Sequence, residues 1–432
     1  MQQHRIIVLG AGYTGASAAG RLAKRLHHAD VAITLVNAEP DFVERVRMHQ
    51  LAVGQELKPR PFEEMFEGTG VEVKLAEVAG IDADRRIVTV VDAQGAGRQE
   101  LEYDTLVYAL GSGWNPQGVP GTAEHAHEIS SRPGALRLRE RLARLDAGRP
   151  VVIVGGGLTG VEAATEIAEA RPDLDVALVA RGGFGDWLSD KGRGHLRKVF
   201  AGLGITVHEH TAVTAVEADR VLTDGTPVPA AVTVWATGFA VHPIAEASTL
   251  EVSGTGQIVV DGTMRSVSHP EVYAIGDAAL VMGPGDKPLR MSCASGVPTS
   301  WQAADTIAAR LTGEKLPKIG IRYYQQCVSL GRKEGLIQFV TADDRAVPKA
   351  LTGRLAAVYK ELVCKSAAWA VANPTVGMPV RRRRTVQPTV PADRAAGAGR
   401  THAGSPAGQA VSRRVRAVGV RGRVPPRAGP PG

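Results

Sequence analysis

The stretch Arg5–Gly15, RIIVLGAGYTG, constrains this chain more than any other. Four apolar residues, Ile6–Leu9, run straight into Gly10, Gly12 and Gly15. That order predicts a buried parallel strand, a tight glycine turn and a helix over Ala16–Leu26. Gly10 permits the sharp turn, Gly12 lets a pyrophosphate approach the main chain, and Gly15 lets helix and strand close up. Ala11, Tyr13 and Thr14 complete the loop, where the free N–H groups of the helix start face the phosphates.

The motif occurs twice. From Pro150 the chain reads PVVIVGGGLTGVEAATEIAEA, and Gly10, Gly12, Thr14 and Gly15 recur as Gly155, Gly157, Thr159 and Gly160, all offset by 145. A second apolar run, Tyr103–Gly111 (YDTLVYALG), ends in Ala109 and Gly111, small enough for the chain to pass close to a bound cofactor. Its counterpart is Thr233–Gly238 (TVWATG). Two such units imply two dinucleotide sites and an α/β fold with two Rossmann-like, three-layer domains.

An acid that binds the adenosine ribose is expected at the end of each second strand, about 20 residues past the glycines. After Val31–Val36 the chain has Asn37 instead, with Glu39 two residues on. Asn37 can still hydrogen-bond a ribose hydroxyl, and Glu39 is either its substitute or a solvated loop acid. After Asp175–Val179 the slot holds Ala180, followed by Arg181. An arginine there accepts the 2′-phosphate of NADP or is a surface residue indifferent to the nucleotide.

Between the motifs, Val71–Val78 and Arg86–Val91 read as a small antiparallel insertion turning at Asp82–Asp84, with Val78 counted in the cofactor-binding set. Gly204–Asp224 completes the second nucleotide unit. Glu271–Ala278 (EVYAIGDA) is a strand that delivers Gly276 for close approach and Asp277, a carboxylate able to accept hydrogen bonds from a cofactor's ribityl chain. Beyond it lie a helix over Val297–Leu311 and strands over Gln325–Gly331 and Gly335–Val340. A last helix over Leu351–Val371 aligns Leu351, Leu355, Val358, Leu362 and Trp369, with Arg354, Lys360 and Lys365 around the stripe. Such a face lies on a membrane or partner, or packs on the body.

The net charge of +7 belongs to the end of the chain. Arg381–Gly432 holds twelve arginines, no lysine and one acid, Asp393. That is +11, which leaves −4 on the remainder and gives no expectation of nucleic-acid binding by the folded body. This Arg-, Pro- and Gly-rich stretch has no apolar period and reads as a disordered tail. No secretory signal or apolar run of spanning length is present, so a cytoplasmic protein is expected, at most peripheral on the membrane. Cys293, Cys327 and Cys364 are widely spaced, with neither a CxxC pair nor zinc-like spacing, so no metal site is expected.

In the order GAGYTG, ALG, GGGLTGVE, ATG, GD, residues 5 to 340 resemble the two-dinucleotide-domain flavoproteins of the pyridine nucleotide-disulfide oxidoreductase superfamily. Within them, the chain resembles the type II NADH dehydrogenase-like enzymes. The resemblance implies FAD along Gly10–Gly15 and NAD(P)H on Gly155–Gly160, with Glu162 near the hydride path. It also implies a discontinuous FAD domain (residues 1–114 and 239–315) around an NAD(P) domain (115–238). A small α+β region (316–380) and the tail (381–432) follow. The chain departs from disulfide reductases, which carry a cysteine pair near the first site. It also departs from sulfide-oxidising relatives, since all three cysteines lie after residue 290. Quinone-reducing members carry an AQxAxQ pattern where this chain has Ser295–Ala304 with only Gln302. The expected activity is an FAD-dependent NAD(P)H dehydrogenase with a quinone or a small redox protein as acceptor. The alternatives are a soluble reductase of an iron–sulfur carrier and a signalling flavoprotein of the apoptosis-inducing-factor kind. A homodimer stays open.

Overall fold

A computed structural model describes residues 3–92, 97–318, 320–376 and 382–386. The first glycine motif sits in a seven-stranded sheet. Its strands are β1 (His4–Leu9), β2 (Val31–Asn37), β3 (Val71–Asp82), β4 (Ile87–Asp92), β5 (Arg98–Glu102), β6 (Thr105–Tyr108) and, from much later in the chain, Val272–Ala274. The order is Val272–Ala274, β6, β1, β2, β3, β4, β5. The run from Val272–Ala274 to β3 is parallel, and β4 and β5 turn back antiparallel. Helix α1 (Tyr13–Arg25) follows β1 and starts directly after Gly12, three residues earlier than the apolar pattern indicated.

The second motif sits in a five-stranded, all-parallel sheet made of β7 (Ala126–Glu128), β8 (Pro150–Val154), β9 (Asp175–Val179), β10 (Thr206–His208) and β11 (Val232–Trp235). Its order is β10, β9, β8, β11, β7. The central strands of both sheets are covered on both faces: Ile6–Leu9 and Val151–Val154 are each at most 5% exposed. Complete burial of such a side chain contributes about 1.5–3 kcal/mol, and this is why the two runs contain no polar alternation.

Three features differ from the sequence reading. Val71–Leu75 is not part of an antiparallel insertion; it extends the parallel sheet against β2, from Ile33↔Val71 to Asn37↔Leu75. From Ala76 onward β3 pairs antiparallel with β4. Leu351 belongs to a strand, β14 (Ala346–Thr352), added to β12 (Gln325–Leu330) and β13 (Glu334–Val340). The last helix therefore begins at Arg354 and runs to Ala372. It buries Ala356, Cys364, Ala368 and Val371 and leaves Leu355, Val358, Leu362 and Trp369 exposed, at 56–72%. Finally, Arg382–Val386 lies along the body. Arg383 exchanges backbone hydrogen bonds with Arg25 and His27, and Arg384 and the Thr385 N–H meet Asp30. The rest of the expected disordered tail lies outside the described residues.

Candidate nucleotide and redox site

β1 ends at Leu9 and hands the chain to Gly10, which has φ +88°. A Cβ on Gly10 would come 2.5 Å from the Ala109 carbonyl oxygen, and one on Gly15 1.7 Å from the Gly10 oxygen. Packing alone therefore requires these two glycines. Gly12 is different: a Cβ there would meet nothing within 4 Å. Its lack of a side chain serves no neighbour in the protein and leaves open space at the helix start, where a pyrophosphate would fit. Tyr13 lies beside it, edge-on to Phe42 at 4.9 Å, and its buried hydroxyl has no partner among the described residues. Thr14 fills the gap against Gly276 (φ +67°), whose Cβ would lie 2.9 Å from the Thr14 methyl.

Asn37 is committed to this loop. Its Oδ1 accepts from the Ala11 N–H at 2.9 Å, and its Nδ2 donates to the Glu39 carbonyl at 2.8 Å. The Glu39 side chain is exposed beyond it, and Val78 is buried in β3. At the other edge, the Asp277 carboxylate accepts from Ser112 Oγ at 2.6 Å and lies 4.0 Å from Arg45 Nη1. Arg45 also donates to the Ser112 carbonyl at 2.7 Å. Ala109, whose carbonyl abuts Gly10, and Gly111 (φ +71°) lead directly into Ser112. Arg45 and Ser112 were not among the sequence candidates; neither lies in a motif.

The second loop repeats the geometry. A Cβ on Gly160 would come 1.9 Å from the Gly155 oxygen, and one on Gly155 2.9 Å from the Ala236 oxygen, while one on Gly157 would meet nothing within 4 Å. Gly238 has φ +71°, as Gly111 does. Thr159 is half-buried at the helix start, Ala180 is buried and Arg181 is exposed. Both loops thus fit a dinucleotide.

The helix after the second loop, Leu158–Ala170, brings Glu162 into the interior. Its Oε1 accepts from the Ser329 N–H and hydroxyl, both at 3.0 Å, and pairs with Lys360 Nζ at 3.1 Å. Lys360 also donates to the Cys327 carbonyl at 3.1 Å, so it is a half-buried partner of Glu162 rather than part of the rim of the apolar stripe. Burial by itself raises the Glu162 carboxyl, but Lys360, His49 and the Ser329 N–H more than reverse this and hold it below the usual carboxylate range. His49 is kept neutral by burial, its value pushed down to about 4. One turn on, burial pushes Glu166 up to about 7, with Gln55 donating to its Oε1 and its Oε2 unpartnered among the described residues. His49, Ser329, Gln55 and the role of Lys360 escaped the sequence reading. The available signal was the spacing of Glu162, Glu166 and Glu169 down an alanine-rich helix.

Gln302 faces Thr306 and the Pro317 carbonyl. The three cysteines are free thiols, and burial pushes Cys327 up to about 11. Among the described residues no three His, Cys, Asp or Glu side chains group as a metal site.

Two strand–loop–helix units, each with a glycine left open toward solvent, define the class of proteins that bind two dinucleotides. The pattern of the pyridine nucleotide-disulphide oxidoreductase family matches residues 4–308, and the chain belongs to that family. It is 26% identical over 367 residues to an NADH dehydrogenase-like protein of Bacillus subtilis, covering 82% of this chain and 98% of that one. It is 27% identical to a demethylphylloquinone reductase of Synechocystis, over 64% of this chain and 72% of that protein. The structure of NDH2 from Plasmodium falciparum in complex with NADH superposes with a TM-score of 0.72 at 14% identity, covering 87% and 98% of the two chains.

Proposed function

We propose that this protein is an FAD-dependent NAD(P)H dehydrogenase that passes electrons to a quinone at a membrane surface. The observation that carries the reading is the pair of open glycines, Gly12 and Gly157, each at a helix start that packing does not fill. FAD occupies the first unit, along Gly10–Gly15, with Asn37 or Glu39 at its adenosine end. Val78, Ala109, Gly111 and Gly276 line it, and Asp277 holds the ribityl chain. NAD(P)H occupies Gly155–Gly160 with Thr159, Arg181 and Gly238. A flavin bound there would supply the redox chemistry, hydride acceptance from a nicotinamide and onward electron transfer. The protein's share is position and charge. Glu162, near the hydride path, and Lys360 form an ion pair that sets the local field.

The quinone is favoured by the relatives' activities and by the last helix, whose exposed Leu355, Val358, Leu362 and Trp369 are flanked by Arg354 and Lys365. That is an apolar face with cationic edges, suited to lie in a lipid interface. No helix among the described residues is long and apolar enough to cross a membrane. In this reading residues 1–114 with 239–315 are the FAD domain and 115–238 the NAD(P) domain, a division supported by the separate sheets that carry the two glycine motifs.

The test is anaerobic stopped-flow bleaching of the flavin band near ~450 nm by NADH or NADPH, followed by reoxidation with a short-chain quinone, and flotation with anionic vesicles. Bleaching, rapid quinone reoxidation and flotation are expected. If flavin is bound but no donor bleaches it, the dehydrogenase reading fails. Bleaching without quinone reoxidation or flotation points to a small redox protein as acceptor.

A further inference from the structure

The two units differ at the residue that meets the adenosine ribose, and the register locates that residue in each. β1 pairs β2 from Arg5↔Ala32 to Leu9↔Val36, and β8 pairs β9 from Pro150↔Asp175 to Val154↔Val179. Pro150 repeats Arg5, so Ala180 occupies the place of Asn37 and Arg181 follows it. An acid at that place would grip the 2′- and 3′-hydroxyls of NAD and repel a 2′-phosphate.

In the second unit that position holds only a buried methyl. Ala180 is 3% exposed, and Gly156 makes room for its methyl, since a Cβ on Gly156 would come within 2.8 Å of it. The backbone around it is pinned: the Ala180 N–H donates to the His208 carbonyl at 2.8 Å, and its carbonyl accepts from the Thr211 N–H at 3.0 Å. Glu209, which meets the Phe184 N–H, and Asp186 have arginines of their own. Glu209 takes both terminal nitrogens of Arg197 at 2.7 Å and the Phe184 N–H, which holds it down at about 2. Asp186 lies 3.5 Å from Arg193. Arg181 is exposed, and among the described residues no carboxylate pairs with it.

We infer that the donor is NADPH, its 2′-phosphate held by the Arg181 guanidinium over a strand end that Ala180 keeps free of negative charge. This rests on the second glycine loop being the donor site, as proposed above. A planar guanidinium meets a phosphate through two parallel N–H bonds, which a lysine cannot reproduce. NADH offers only a hydroxyl there and leaves the guanidinium without its anion.

The experiment uses the flavin-loaded protein. Flavin bleaching by NADPH and NADH gives the two reductive kcat/KM values, and calorimetry with 2′,5′-ADP and 5′-AMP gives affinities that do not depend on turnover. Preference for NADPH by about tenfold or more is expected, with 2′,5′-ADP binding tighter than 5′-AMP by a similar factor. R181A should bring both ratios close to one, and R181K should restore part of them. Equal or faster reduction by NADH, with 2′,5′-ADP no tighter than 5′-AMP, overturns the inference and leaves an NADH dehydrogenase. If neither donor bleaches the flavin, the dehydrogenase reading fails, and the calorimetric ratio still decides what Arg181 selects.

Discussion

The first and second glycine units are near copies in backbone and unlike in what they face. Gly10, Gly12 and Gly15 meet the same obstacles, or the same open space, as Gly155, Gly157 and Gly160. Their helices then diverge at matched positions. Ser17 in the first unit corresponds to Glu162 in the second, and Arg21 to Glu166. Ser17 accepts from the Ser300 hydroxyl at 3.2 Å, and Arg21 grips Asp305 with nitrogens at 2.5 and 2.8 Å, both on the helix Cys293–Thr312. Glu162 instead meets Ser329 and Lys360, and Glu166 meets Gln55. Loop geometry follows from sterics within a few residues. The chemistry of the helix behind it depends on which distant element packs there.

The largest expected effect tests the copied part. Gly15→Ala and Gly160→Ala each drive a methyl into a carbonyl oxygen, and each should cost more than about 4 kcal/mol of stability if the loop cannot shift. Gly12→Ala and Gly157→Ala are the contrast, expected to cost at most about 1 kcal/mol. Gly12→Ala should lose flavin, and Gly157→Ala should keep it while donor binding weakens. Chemical denaturation and the flavin-to-protein absorbance ratio read both. Equal destabilisation by all four would mean that the open glycines serve the fold rather than a ligand.

Lys360→Ala tests the divergent part, since it leaves Glu162 buried without its cation. A loss of about 3–5 kcal/mol is expected, together with slower reoxidation by the acceptor. Lys360→Ala combined with Glu162→Gln should recover much of the stability but not the reoxidation rate. If the double variant is no more stable than the single one, the pair is not what holds Lys360 in place.

Glu166 gives a pH signature that the first unit lacks. Its folded value lies above that of the unfolded chain, so between the ordinary carboxylate range and about 7 the folded protein binds more protons. Stability therefore falls as pH rises through that window, on the order of 3 kcal/mol at most. His49 works in the opposite direction, losing stability as pH falls from the ordinary histidine value toward about 4. Glu166→Gln should remove the decline toward neutral pH and leave the acid-side loss. Parallel wild-type and variant curves of ΔG against pH would sink this assignment.

The smallest effect belongs to Asn37, whose amide ties Ala11 to Glu39. Asn37→Ala should cost about 1 kcal/mol and speed flavin release in a dilution assay. An unchanged release rate would restrict Asn37 to an ordinary loop contact.

Much of this was legible in the residues because it is local. The apolar runs before Gly10 and Gly155 marked buried parallel strands, and the spacing of the glycines marked tight turns onto a helix. The misplaced elements were those whose state depends on a neighbour. Val71–Leu75 became a parallel strand because β2 presents a free edge to it. Leu351 pairs with Ile337 in the final sheet instead of starting the helix. The apolar residues of that helix pointed outward because its small residues, Ala356 and Ala368, allow the closer approach to the body.

From the sequence alone came the duplicated loops, the missing ribose acid after each second strand, and the family to which the chain belongs. These are set by bond geometry and sterics over a dozen residues. Only the tertiary structure decided that Lys360 meets Glu162 across 198 positions of chain, and that the two strand-end residues Asn37 and Ala180 have unlike surroundings. Burial and hydrogen bonding at those points come from residues far away in the chain, and no local pattern encodes them.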